Sequence, residues 1–277
     1  ARRPARPRPR PGPASRTPAL MDLAEPHFTV SLATTEAERI AAQRLRYAVF
    51  VEELGAGGDL VDHENRLERD RFDPYFDHLI LSDARRDAGD RVVGVYRVMR
   101  ADQAETAGQF YSEDEYDLAP LRATGRRLLE LGRSCLHRDY RGGTAMMHLW
   151  NGLARYVADH EIDILFGVAS FHGTDPQALA GPLSLLHHRH LAPADIRPVA
   201  RPPGAQAMDL IAEDRLDRPA AIRAIPALIK AYLRLGGFVG QGAFIDHPFN
   251  CIDVCLVIDV ARMSPKHRAI YTRGTPA

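Results

Sequence analysis

The stretch Leu128-Leu129-Glu130-Leu131-Gly132-Arg133-Ser134-Cys135-Leu136-His137-Arg138-Asp139-Tyr140-Arg141-Gly142-Gly143-Thr144-Ala145, continuing to Trp150, decides the fold class. Its first part is apolar-rich and bounded by polar residues, which predicts a strand over Leu128–Leu136. Two adjacent glycines follow, flanked by Arg138 and Arg141, and a helical period runs from about Ala145 to Asp159. Glycines let backbone N–H groups approach an anion, and a helix N-terminus adds about half a positive charge. Strand, glycine turn and helix together read as an anion cradle in which Arg138 and Arg141 pair with phosphate. The run lacks the Gly-Lys-Ser/Thr of a P-loop and the spaced glycines of a dinucleotide fingerprint.

Working outward, the pattern stays α/β. Phe28–Ala33 reads as a strand. Thr34-Thr35-Glu36 starts a helix to about Leu54, with Ile40, Tyr47, Val51 and Leu54 on one face. Gly55–Phe76 has no regular period and reads as a binding-type loop. His78–Ser82 and Val92–Met99 form a meander, and a second polar stretch precedes Leu128. Ile162–Phe171 is a strand, Pro176–Leu191 a helix, Ile222–Leu235 an amphipathic helix, and Phe238–Ile245 and Ile252–Val260 are strands. This order predicts an α/β fold with a single mixed, mostly antiparallel sheet, helices on both faces and a C-terminal extension. Residues three apart on a regular strand face opposite sides. Glu130 and Arg133 therefore share one site only if the strand is distorted between them, and Gly132 is placed for such a bulge, splaying the sheet at its centre.

The chain has 277 residues, 45% hydrophobic and 26% charged, with thirty-six basic and thirty-six acidic side chains. That balance conceals two parts. Residues 1–20 carry six arginines and no acid, and their Arg/Pro-rich composition predicts a disordered tail. From Met21, the expected true start, to residue 277 the chain reads as one domain with a net excess of acid. Such a body excludes a generally basic nucleic-acid-binding protein. No run of eighteen apolar residues suggests a membrane span. Three cysteines, Cys135, Cys251 and Cys255, fit a reducing cytoplasm. No metal site is expected: Cys251 and Cys255 lack a second ligand pair, and His187, His188 and His190 diverge around a helix.

The run from His137 to Ala145 resembles the phosphopantetheine-binding turn of the GNAT acyltransferase superfamily. Upstream, Arg46 with Phe50, Asp70 with Asp73, Arg97, and Glu130 with Arg133 are similar, in order and spacing, to acyl-homoserine-lactone synthases within that superfamily. The blocks Arg46–Ala56, Phe72–Leu79, Phe110–Leu118, Leu129–Trp150, Gly167–Asp175, Pro182–Leu191 and Ile225–Asp253 resemble bacterial L-ornithine N-alpha-acyltransferases of ornithine-lipid synthesis. This resemblance spans roughly Ala37 to His267. It implies transfer of a 3-hydroxyacyl chain from acyl carrier protein to the alpha-amine of L-ornithine, giving lyso-ornithine lipid. The donor is the acyl-phosphopantetheine of the carrier protein, and no other cofactor is implied.

Amide formation from a thioester needs a base for the amine and an oxyanion donor. Glu130 is the first candidate base, with His137 and His172 behind it. A backbone N–H near Leu136 would face the thioester oxygen, and Arg138, Arg141, Gly142, Gly143 and Thr144 would hold the phosphate. Ornithine's carboxylate calls for arginine, which points to Arg46, Arg97 and Arg133, and its ammonium groups for carboxylates, which points to Asp70 and Asp73; Phe50, one helical turn from Arg46, would line the same acceptor pocket. Arg122, Arg126, Arg127, Arg138 and Arg141 would form a patch for the acidic carrier protein. The amphipathic Ile222–Leu235 segment is compatible with peripheral contact at the inner membrane face. Two alternatives stay open here: an acyl-homoserine-lactone or other long-chain N-acyl-amino-acid synthase, and a non-catalytic carrier-protein or lipid-binding module.

Overall fold

A computed structural model describes residues 27–263; the arginine-rich tail and the proposed start at Met21 lie outside the described residues. In chain order the elements are β1 (Phe28–Leu32), α1 (Glu36–Arg46), β2 (Asp77–Asp83), β3 (Val92–Arg100), α2 (Ala101–Ala107), β4 (Tyr116–Asp117), α3 (Ala119–Ala123) and β5 (Leu128–Leu136). There follow α4 (Ala145–Asp159), β6 (Ile164–His172), α5 (Ala180–His190), β7 (Val199–Ala200), β8 (Ala205–Gln206), α6 (Arg218–Ala224), α7 (Ala227–Arg234), β9 (Phe238–Val239), β10 (Ala243–Asp246) and β11 (Cys251–Asp259). The main sheet runs β1-β2-β3-β5-β6-β11-β10-β8, with β9 also paired to β11, and β4 and β7 form a separate ribbon. Only β5 and β6 are parallel within that sheet.

Period-two alternation sorts side chains to two faces. Leu79, Leu81, Tyr96, Val98, Leu129 and Leu131 share a core with Leu149 and Leu153 of α4. Ile80, Val95 and Cys135 pack instead with Ala42 and Leu45 of α1. Thr35 caps α1, accepting from the Glu38 N–H while the Glu38 carboxylate returns to the Thr35 N–H at 2.9 Å. Beyond Arg46 the helix widens into a π turn over Tyr47–Glu53, which carries the chain toward the site loop.

The sheet is splayed at its centre. β5 pairs with β6 only from Leu128↔Ile164 to Glu130↔Phe166. On the other side of β5 the register with β3 slips, because Val95 meets Cys135 while Arg97 meets Gly132. Two residues, Arg133 and Ser134, thus oppose the single Tyr96, and Arg133 takes φ +50°. The distortion expected near Gly132 sits one residue later, on an arginine. A Cβ at Gly132 would meet nothing, whereas one at Gly167 of β6 would come within 2.1 Å of the Leu131 carbonyl. Gly167 is what lets the two strands converge just before they part. Gly167→Ala is expected to cost about 1–3 kcal/mol by overpacking this junction, read as a lowered denaturant midpoint. Stability within a few tenths of wild type would contradict this role for Gly167.

Three details correct the sequence expectations. The Ile222–Leu235 segment is two helices, because Pro226 cannot donate to a preceding carbonyl and forces Ile225 into an extended conformation. Its apolar residues Ile225, Ile229 and Tyr232 belong to the core. The Phe238–Ile245 strand breaks at Gly240–Gly242, where Gly240 lies against the Pro198 carbonyl and Gly242 has φ +79°. The second polar stretch, to which the sequence assigned no element, contains α2 and α3.

Candidate active site

Beneath the splay lies a buried charge network. Arg46 is wholly buried, donating from Nε to Glu68 and from Nη1 to Asp73 at 2.8 Å. Arg97, equally buried, reaches the same Asp73 oxygen at 2.6 Å and Asp70 at 2.8 Å. Arg133 donates to Glu68 at 3.1 Å and to Asp70 at 3.3 Å, which holds its left-handed backbone in place. Three guanidinium groups thus interlock with three carboxylates. Burial works to raise the Glu68 carboxyl, but Arg133 and Arg46 beside it overcome that and hold it down to about 2. Asp73 is likewise driven below the usual carboxylate range: Arg46 and Arg97 outweigh its burial.

Above this network, where β5 and β6 separate, opens a cavity of about 1250 Å³, part of it open to solvent. Phe50, Arg97, Glu130, Arg133, Ser134 and His172 line it, with Asp246 and Asp253 on the far side. Arg46 is not among the lining residues, and Asp70 lines a neighbouring hollow with Glu68. Arg97 packs over Phe76 at 4.1 Å from its ring centre and keeps Nε and Nη2 buried without a hydrogen-bond partner. The Ser134 hydroxyl is also buried without a partner, at the bulge itself.

Glu130 is 1% exposed. Its carboxylate accepts from the Tyr111 N–H at 2.8 Å, the Ser112 N–H at 2.6 Å and the Ser112 hydroxyl. Burial raises it to about 7 against the pull of those bonds and of Arg97. A carboxyl so placed changes ionisation near neutrality, as a general base requires. His172 ends β6 and faces the cavity mouth. His137 lies apart: it caps the turn Arg138–Tyr140, accepting from the Asp139 N–H at 3.3 Å, and does not line the cavity.

The glycine turn leads straight into α4, whose cap is Thr144. Gly142 has φ +80°, a conformation that favours glycine, while Gly143 has no steric need for it. A hollow formed by Tyr140, Arg141, Gly142, Gly143 and Thr144 is closed from the side by Arg85 and Arg86 of the β2–β3 turn. Arg141 bridges Glu53 at 2.8 Å and the Leu136 carbonyl at 3.1 Å. Arg138 is the freer of the two, with Glu53 3.8 Å away. Leu136 is buried at the end of β5 and does not line the cavity.

Residues 45–151 match the Acetyltransferase (GNAT) domain family. The L-ornithine N(alpha)-acyltransferase of Rhodobacter capsulatus is 62% identical over 248 residues, covering 89% of this chain and 95% of that one. Its namesake in Brucella abortus is 42% identical over 246 residues, covering 87% and 88%. The chain belongs to the L-ornithine N(alpha)-acyltransferase family. It is an N-acyltransferase on the GNAT fold. Among solved structures, FeeM, an N-acyl amino acid synthase from uncultured soil microbes, aligns with a TM-score of 0.49 at 14% identity, covering 89% of this chain and 96% of that one.

For the acyltransferase, one expectation about surface charge is corrected. Arg122, Arg126 and Arg127 do not surround the phosphate turn, because the nine residues of β5 separate them from it by about 26 Å. Arg122 pairs with Glu113 at 2.6 Å, Arg126 with Asp259 at 2.6 Å and Arg127 with Glu161 at 2.5 Å. The arginines beside the turn are Arg85, Arg86, Arg138 and Arg141. Also absent from the sequence reading were Glu68, Ser134 and a set of acids, the buried Glu115 and Asp253 and the half-buried Asp246. Glu68 is a charged residue in a polar loop and gives no periodic signal of burial.

Proposed function

We propose that the enzyme transfers a 3-hydroxyacyl chain from the phosphopantetheine thioester of acyl carrier protein to the alpha-amine of L-ornithine, forming lyso-ornithine lipid. The observation that carries this reading is the cavity at the splay, where the Glu130 carboxyl, lifted by burial to about 7, shares one space with the unpartnered Nε and Nη2 of Arg97. In this account Arg97 and Arg133 receive the alpha-carboxylate and Phe50 covers the acceptor's apolar stem. Arg46, Asp70 and Asp73 act from beneath, fixing those two guanidinium groups. Glu130 takes a proton from the alpha-ammonium, the freed lone pair attacks the thioester carbon, and its C=O electrons move to oxygen. Collapse of that adduct breaks the C–S bond; the second proton lost from nitrogen goes to the departing thiolate, and Glu130 releases the first to solvent. The Ser134 hydroxyl supports donation to the developing oxyanion. His172 is the second candidate base, and His137 suits the donor side.

The hollow at Gly142, Gly143 and Thr144 would take the single phosphodiester of the carrier's arm, with Arg138 and Arg141 alongside, while Leu136 holds Arg141 by its carbonyl. Carrier recognition then falls to the exposed Arg138 and its neighbours. Arg138→Glu is expected to raise the carrier-protein KM about tenfold while the ornithine KM stays constant; equal carrier KM values would exclude this docking face. The lipid product supports a cytoplasmic enzyme in peripheral contact with the inner membrane face. Among the described residues no helix is long and apolar enough to cross a membrane.

The test is thiol release from 3-hydroxyacyl carrier protein and from the matching acyl coenzyme A, each offered with ornithine, other amino acids or S-adenosylmethionine. Release with carrier protein plus ornithine is expected. Release with S-adenosylmethionine and not ornithine would make it a lactone synthase, and no release with any pair would make it a binding module.

A further inference from the structure

We infer that Glu115, Asp246 and Asp253 form a second subsite of the cavity, which binds the side-chain ammonium of the acceptor and makes the enzyme select a basic amino acid. The inference rests on the ornithine reading above and says which residues distinguish ornithine from a neutral amino acid.

Topology brings these acids together. Asp253 lies on β11 and Asp246 on the neighbouring β10, and Glu115 enters just before β4. Asp253 is 3% exposed and Glu115 5%. Asp246 lines both the central cavity and an adjoining hollow that Glu115 also lines. Among the described residues no salt bridge involves any of the three, in contrast to Glu68, Asp70 and Asp73, and the Arg133 guanidinium acts on them only from a distance. Asp246 accepts from the Phe249 N–H at 3.0 Å, and Glu115 Oε2 is buried with no partner. An orphaned buried carboxylate oxygen costs free energy unless a donor reaches it. Burial and the other two carboxylates raise the Glu115 carboxyl well above its usual range, and burial brings Asp253 to about 6. All three groups therefore gain from a bound cation.

The opposite wall supplies the complement. Arg97 stands on β3, across β5 and β6 from β11, and its unpartnered Nε and Nη2 are buried in the same cavity wall. A molecule with a carboxylate at one end and an ammonium at the other satisfies both walls, leaving its alpha-amine between them near Glu130. A divalent cation is the competing occupant, because Asp246, Cys251 and Asp253 bring one ligand atom each within 4.8 Å of one another, but a metal ion there leaves the Arg97 N–H groups of the opposite wall without a partner.

The experiment compares kcat/KM for ornithine and for norvaline, which lacks only the side-chain amine, with acyl carrier protein as donor. Wild type should prefer ornithine strongly. Asp246→Asn and Glu115→Gln are each expected to cut that preference by on the order of a hundredfold, because an amide keeps the shape but cannot take up the negative charge that pairs with the ammonium. Asp246 is only partly buried, so its variant stays folded if the buried Glu115 site does not tolerate change. An unaltered ratio in Asp246→Asn would overturn the subsite. So would turnover stimulated by a divalent cation in wild type and not in Asp246→Asn. Wild-type enzyme that acylates norvaline but never ornithine would instead defeat the ornithine reading itself.

Discussion

Arg46→Leu should destabilise the fold by about 3–5 kcal/mol, because it leaves Glu68 and Asp73 buried with one guanidinium fewer. Arg46 is wholly buried and bonded to both acids, so solvent cannot take its place. The prediction has a pH signature. Glu68 is held from 4.5 in the unfolded chain down to about 2 in the folded one. A depressed carboxyl contributes stability that is present above about pH 4.5 and lost as the pH falls through about 2. With Arg46 gone, Glu68 keeps Arg133 and the more distant Arg97, its folded value rises, and acid unfolding begins at higher pH. Urea midpoints between pH 7 and 3 measure both effects. A variant with wild-type midpoint and acid limb would mean that the network carries no stability.

Glu130→Gln should lower kcat by about 10²–10⁴, the range lost with a positioned general base. Wild-type kcat/KM should rise with pH through about 7, because the working form is the carboxylate and burial has lifted Glu130 to that value. The variant should lack this limb. The pH profile separates catalysis from scaffolding, since Glu130 also anchors the Tyr111–Ser112 turn through three hydrogen bonds. Loss of that anchoring alone would lower activity by the same factor at every pH. A kcat within threefold of wild type would leave Glu130 as a turn anchor only.

How far the sequence foretells this molecule depends on the range of the interactions. β5, the glycine turn and α4 were legible because each is governed by local rules: an apolar run, a left-handed glycine and a helical period. Gly142 sits at φ +80° as the turn requires. Interior glycine in a strand signals close backbone approach, so Gly167 was within reach of the same reasoning that flagged Gly132. Five of the six members of the charge network, Arg46, Asp70, Asp73, Arg97 and Arg133, were singled out through the resemblance to acyl-homoserine-lactone synthases, but as acceptor-binding residues; Glu68 was lost in a polar loop, and nothing local says that Arg46 is sealed below the cavity. The carrier patch failed because nearness in sequence to the turn ignored the length of β5. Glu115, Asp246 and Asp253 come from three segments and meet only through the order of strands, which no local pattern encodes.

The central claim is that ornithine lies with its side-chain ammonium at the acidic wall and its alpha-amine beside Glu130. Tandem mass spectrometry of the product from 3-hydroxyacyl carrier protein and L-ornithine tests it most directly, by locating the acyl group on one nitrogen. The account predicts acylation at the alpha nitrogen alone, with a free side-chain amine. Acyl groups on the side-chain nitrogen would contradict it.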